Sequence, residues 1–305
     1  MCDGDAVFRF LAEEAGLGRA GAVKATDGYP ALHNYNVEGK LAPTWKFLVE
    51  EAGLGRERAA KAIARWPHLL GYGVENNMVP KVRYLAEELG LGKDGAAKLI
   101  TTLPQVLGLS VEHNIAPKVR YLAEELGLGR DGAAKLITKF PSVLGLSVED
   151  NIAPKVRYLA EEVGLGKGGA VTLITKLSQV LSCSVEENIA PKVKYLAEEL
   201  RLGRAGAVKV ITGCPQVLSF SVEDNIAPKV RYLVEKVEVG REGAADIILQ
   251  LPTLLCLSIE RNLRPTLRFV EDNFLDTSLT VTMSLATYSL AGRLMPRVRL
   301  LQRHG

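Results

Sequence analysis

The sequence predicts an all-α protein, a superhelical α-solenoid of about 37-residue repeats, each made of two α-helices and a short 3₁₀ turn. Three observations carry this. Proline falls at Pro43, Pro80, Pro117, Pro154, Pro191, Pro228 and Pro265, each 37 residues after the last, and Pro296 follows after 31. A fixed period of that size marks stacked units that bury their apolar faces against neighbouring units. Inside each period, apolar residues recur at spacings of three and four, which is the rhythm of a helix face. No segment shows the strict alternation of a half-buried strand.

The unit from Pro117 to Ala153 shows how each element is specified. The first helix starts ahead of the proline, where Ser110 in S-V-E-H supplies an N-cap. At Ser147 (S-V-E-D) and Ser184 (S-V-E-E) an acid three residues on predicts a capping box. Val111, Ile115, Val119, Leu122 and Leu126 form its main apolar stripe, and Pro117, Tyr121 and Leu128 a narrower one opposite. Pro117 lies two turns into the helix, which predicts a kink or a break there. Gly127 and Gly129 end the helix, as glycine does where the backbone turns left-handed. The second helix follows in RDGAAKLITKF (130–140), with Asp131 as its cap and Ala133, Leu136, Ile137 and Phe140 as its buried face. Pro141 stops it, and PSVLGLS makes one short turn, read as 3₁₀. Some copies depart from the pattern: Ser178 replaces the second proline once, and Arg201 and Glu238 replace the first helix-ending glycine.

The whole chain, 1–305, reads as a single array whose units start near the seven prolines, with a closing unit at 287–305. VFRFLAEEAGLG (7–18) aligns with KVRYLAEELGLG (118–129), and Ala6 stands where the proline belongs. The chain therefore opens on a partial unit, at a repeat boundary. MCDGDAVFRFLAEEAG carries acids and has no apolar core, so it is not a signal peptide. No apolar run reaches the length of a membrane span. Cys2, Cys183, Cys214 and Cys256 are widely spaced without a C-x-x-C, which predicts reduced thiols and neither a disulfide framework nor a zinc site.

Nothing points to an enzyme. His33, His68, His113 and His304 do not recur with the repeat. The L-G-L-G pairs lack the flanking strand that a dinucleotide site requires. The expectation is a protein with no cofactor, no metal and no small-molecule substrate.

The bases are more informative. Each first helix has one directly after the proline (Lys81, Lys118, Lys155, Lys192, Lys229, Arg297). Another comes two residues later (Arg83, Arg120, Arg157, Lys194, Arg231, Arg268, Arg299). On a functional reading these form two stripes for phosphate. The competing reading is a solvated face, because Arg83 has Glu87 four residues on, and such pairs are weak surface features. In the unit 80–116, Lys81, Arg83, Lys93 and Lys98 are balanced by Glu87, Glu88, Asp94 and Glu112, and the competing reading is favoured there. The C-terminal stretch differs: from Arg261 to Gly305, seven arginines face three acids, a net of +4, within a chain whose total is +3. Arginine suits phosphate through its planar fork. Arg293, Arg297 and Arg299 are therefore the leading candidates for phosphate contact, joined by Arg268. On second helices Lys139 and Lys176 are further candidates, and Lys209 has Ala205 where Lys98 and Lys135 have an aspartate. The periodic Tyr84, Tyr121, Tyr158, Tyr195 and Tyr232 could stack bases. Packing between repeats is the favoured reading for them.

PQVLGLSVEHNIAPKVRYLAEELGLG (104–129) resembles the repeat of the mitochondrial transcription termination factor (mTERF) family. TYSLAGRLMPRVRLL (287–301) is similar to that family's closing signature, through Tyr288, Ser289, Leu290, Arg293, Pro296 and Arg297, with Ala291 where an acid is usual. The resemblance covers essentially the whole chain. It implies a superhelical array binding nucleic acid on a basic surface, in a mitochondrion or chloroplast. Duplex DNA is the favoured partner, RNA is possible, and the implied role is transcription regulation or termination. Splicing or ribosome assembly on RNA, and a protein-binding scaffold, are the alternatives; no membrane is expected.

Overall fold

The predicted helix pairs recur along residues 3–237 and 239–273, which the computed structural model describes, while the closing unit 287–305 lies outside the described residues. Among the described residues there is no strand. The chain divides at Val148 and Glu149 into two compact units. The first holds an N-terminal repeat and the repeats counted from Pro43, Pro80 and Pro117. The second holds the repeats from Pro154, Pro191 and Pro228 and the first helix of the next.

The first helix starts where expected. Ser110 Oγ accepts from His113 N–H at 3.1 Å, and Ser184, Ser221 and Ser258 cap their helices in the same way. The expected capping box takes another form. At Ser184 the serine hydroxyl meets Glu186, two residues on, at 3.2 Å, and Ser110 meets Glu112 likewise. At these two caps the acid met by the hydroxyl is two residues on, whereas Ser221 meets both Glu223 (3.2 Å) and Asp224 (3.1 Å), the latter three residues on.

The proline does not break the helix, which continues through it from Val111 to Glu125. Val111–Ile115 forms one wide turn, with Ile115 N–H bonded to Ser110 O at 3.0 Å, five residues back. Ala116–Arg120 is α-helical, and Tyr121–Glu125 is wide again. A five-residue turn opens the backbone where an α-turn would press the proline ring onto the preceding carbonyl. The helix thus absorbs Pro117 by changing pitch.

The helix then ends as predicted. Gly127 has φ +71°, and Leu128 N–H reaches back to Leu122 O at 3.3 Å. Gly129, also left-handed at φ +67°, opens the second helix, Gly129–Lys139. Asp131 does not cap that helix. The cap position is Leu128, with no side-chain bond, and Asp131 lies inside the first turn, where its charge suits the helix dipole. Pro141 begins the 3₁₀ helix Pro141–Gly145. Ile115, Leu122, Ala133, Ile137 and Leu144 are fully buried, so both helices and the turn close on one apolar layer. Each leucine or isoleucine among them contributes about 1.5–3 kcal/mol.

Candidate nucleic-acid interface

Bases recur at several repeat positions, and the structure gives them different surroundings. The lysine after the proline is buried. Lys81, Lys118, Lys155, Lys192 and Lys229 are only 5–8% exposed. Lys81 Nζ donates to Asn77 Oδ1 (2.8 Å) and to Leu107 O (2.6 Å). Lys155, Lys192 and Lys229 do the same with Asn151 and Leu181, Asn188 and Leu218, and Asn225 and Leu255. The leucine carbonyl lies at the C-terminal end of a 3₁₀ helix, where backbone oxygens are left over and the dipole is negative. Each ammonium therefore ties the first helix to the turn that closes its own repeat. Burial pushes the Lys81, Lys155, Lys192 and Lys229 ammonium groups below the usual lysine range.

That overturns both readings of this stripe, since it faces neither phosphate nor solvent. The sequence signal was the asparagine four residues ahead of each lysine, one helical turn away. The repeats from Pro43 and Pro265 have Thr44 and Thr266 at this position, both 1% exposed.

A second set links consecutive repeats. Lys93 Nζ donates to Glu50 O at 3.1 Å. Arg130 donates to Glu87 O and Arg204 to Glu161 O, again 43 residues back. Arg58 donates to Leu54 O (2.8 Å) and Gly53 O (3.1 Å) and pairs with Asp94 at 2.9 Å. These cations satisfy carbonyls where a first helix ends.

The base two residues after the buried lysine is the exposed one. Arg83 and Arg120 in the first unit, and Arg157, Lys194, Arg231 and Arg268 in the second, all face solvent. Their acidic neighbours hardly engage them. Lys194 meets Glu198 at 4.0 Å, while the five arginines have no hydrogen bond or ion pair among the described residues. The solvated ion-pair face expected for Arg83 and Glu87 is therefore not formed.

Second helices are mixed. Lys61 pairs with Glu57 (2.7 Å) and Lys98 with Asp94 (2.8 Å), and hydrogen bonds from Lys98 and Arg58 hold the Asp94 carboxyl below its usual range. Lys209 is exposed with no such partner among the described residues. Lys139 and Lys176 are exposed but not without partners. Arg65, at their repeat position, donates to Thr102 O at 2.8 Å. Arg264 pairs with Glu260 at 2.8 Å, so part of the C-terminal positive excess is neutralised by an acid one residue before the stretch begins. Arg293, Arg297 and Arg299 lie outside the described residues.

Of the periodic tyrosines Tyr195 is buried, and Tyr84, Tyr121, Tyr158 and Tyr232 are half-buried. Tyr195 is 9% exposed, and burial pushes the phenols of Tyr84, Tyr158 and Tyr195 up from their ordinary value. Cys214 and Cys256 are in disulfide contact, which corrects the expectation of separate thiols.

Comparison with curated protein sequences returns no significant match. A family model described as mTERF matches residues 10–305, nearly the whole chain. The chain thus belongs to the mTERF family, organellar nucleic-acid-binding gene-expression factors built of helical repeats.

Proposed function

We propose that this protein binds double-stranded DNA through its backbone phosphates and so regulates or terminates transcription in a mitochondrion or chloroplast. The observation that carries this is the exposed row Arg157, Lys194, Arg231 and Arg268, one base per repeat at a constant repeat position, hardly met by acids. Arg83 and Arg120 repeat the arrangement in the first unit. In the sequence Arg299 holds the same position after Pro296, and Arg293 and Arg297 beside it are further candidates, with Lys209, Lys139 and Lys176 on second helices. One cation per repeat suits a regular polyanion, since phosphate contacts position a protein without reading sequence.

Binding of labelled duplex DNA should weaken steeply between about 50 and 200 mM salt, with a log–log slope near −0.9 per phosphate neutralised. Replacing Arg157, Lys194, Arg231 and Arg268 together with alanine should flatten that slope by about 3–4. Replacing Arg293, Arg297 and Arg299 should flatten it by about 2–3. Tighter, equally salt-dependent binding of single-stranded RNA would move the assignment to RNA, and no duplex binding at low salt would overturn it.

A further inference from the structure

We propose that Cys214 and Cys256 are a thiol-modification site, a redox clasp between two consecutive repeats that a low-molecular-weight disulfide such as oxidised glutathione closes and excess thiol reopens. At two other places along the repeats, the residue before the second proline comes close to the last residue of the next repeat's 3₁₀ turn. A Cβ on Gly71 would lie 2.9 Å from Tyr29 Oη, and one on Gly108 would lie 3.0 Å from Trp66 Cη2. Each of these pairs is 42 residues apart, as are Cys214 and Cys256. One repeat earlier the same two positions hold Leu177 and Ser219. Two cysteines thus occupy both facing positions of one inter-repeat contact, with their sulfur atoms in contact.

Exposure divides the chemistry between them. Cys256 is exposed and Cys214 is 1% exposed. The Cys256 thiolate attacks one sulfur of oxidised glutathione, the S–S bond breaks, and one glutathione thiolate leaves. The Cys214 thiolate then attacks Cys256 Sγ in the mixed disulfide and expels the second glutathione thiolate. Two protein thiols lose two electrons and two protons, and one oxidised glutathione becomes two thiols. Cys183, free and half-buried, serves as an internal control.

The full chain, reduced and then equilibrated in oxidised-to-reduced glutathione mixtures, would be acid-quenched, alkylated and peptide-mapped without reduction. The expected result is a Cys214–Cys256 cross-link that excess reduced glutathione removes, with Cys183 alkylated. Closing a loop of this length should also raise the thermal midpoint by at least about 3 °C. Cys256→Ser and Cys214→Leu, the residues found one repeat earlier, should fold and lose both the link and the shift. A persistent glutathione adduct on Cys256 with Cys214 free, a link through Cys183, or an equal shift in both variants would overturn the proposal.

Discussion

Ser178 is fully buried at the first position of a 3₁₀ helix, and its hydroxyl has no hydrogen-bond partner. Elsewhere that position holds proline, whose missing N–H costs nothing at a helix start. The preceding Leu177 has φ −126° and ψ 70°, close to the −130° and 75° of Leu103 ahead of Pro104, so the backbone already suits proline. Ser178→Pro should raise stability by about 1–2 kcal/mol, through loss of a stranded hydroxyl and a less flexible unfolded chain. Urea unfolding measures it. Arg201 is a second departure with a physical cost. Its φ is +55°, at the position where Gly90, Gly127 and Gly164 are left-handed without penalty. Arg201→Gly should stabilise by about 0.5–1 kcal/mol, the relief of side-chain crowding less the entropy of glycine. A lower urea midpoint would contradict it.

At the scale of one element, the first helix carries two bases two residues apart with opposite roles. Lys155 fastens the helix to Leu181 O, and Arg157 points to solvent. Lys155→Met keeps the apolar stem but strands Asn151 and the Leu181 carbonyl, and should cost about 2–3 kcal/mol. Arg157→Ala should stay within about 0.5 kcal/mol of the parent. Paired denaturation curves test the contrast, and equal losses would refute it. The limits of this helix were legible in the sequence because Ser110 and Gly127 act on their immediate neighbours. Its pitch was not. A proline seen alone predicts a kink, and the answering five-residue turn depends on how Ile115 and Leu122 must sit in the apolar layer.

For the whole molecule, net charge says little about binding, because the bases are divided among separate tasks. A total of +3 includes lysines buried in repeats and arginines holding helix ends. If the exposed row binds phosphate, its contributions to the salt slope should add from repeat to repeat, because the sites share no partner. The candidate site was only half legible. Both stripes were visible as charges at helical spacing, yet exposure separated Arg157 from Lys155, and the arginines linking repeats gave no recognisable local signal.

The sequence by itself determined the period, the helix limits, the 3₁₀ turn and the family, because caps, prolines and left-handed glycines act within a few residues of themselves. The tertiary structure decided which cations are spent inside the fold. Lys81 meets Leu107 across 26 residues, Arg130 meets Glu87 across 43, and Cys214 meets Cys256 across 42. Such partners are brought together only when helices pack, and burial then makes an unpaired polar group costly.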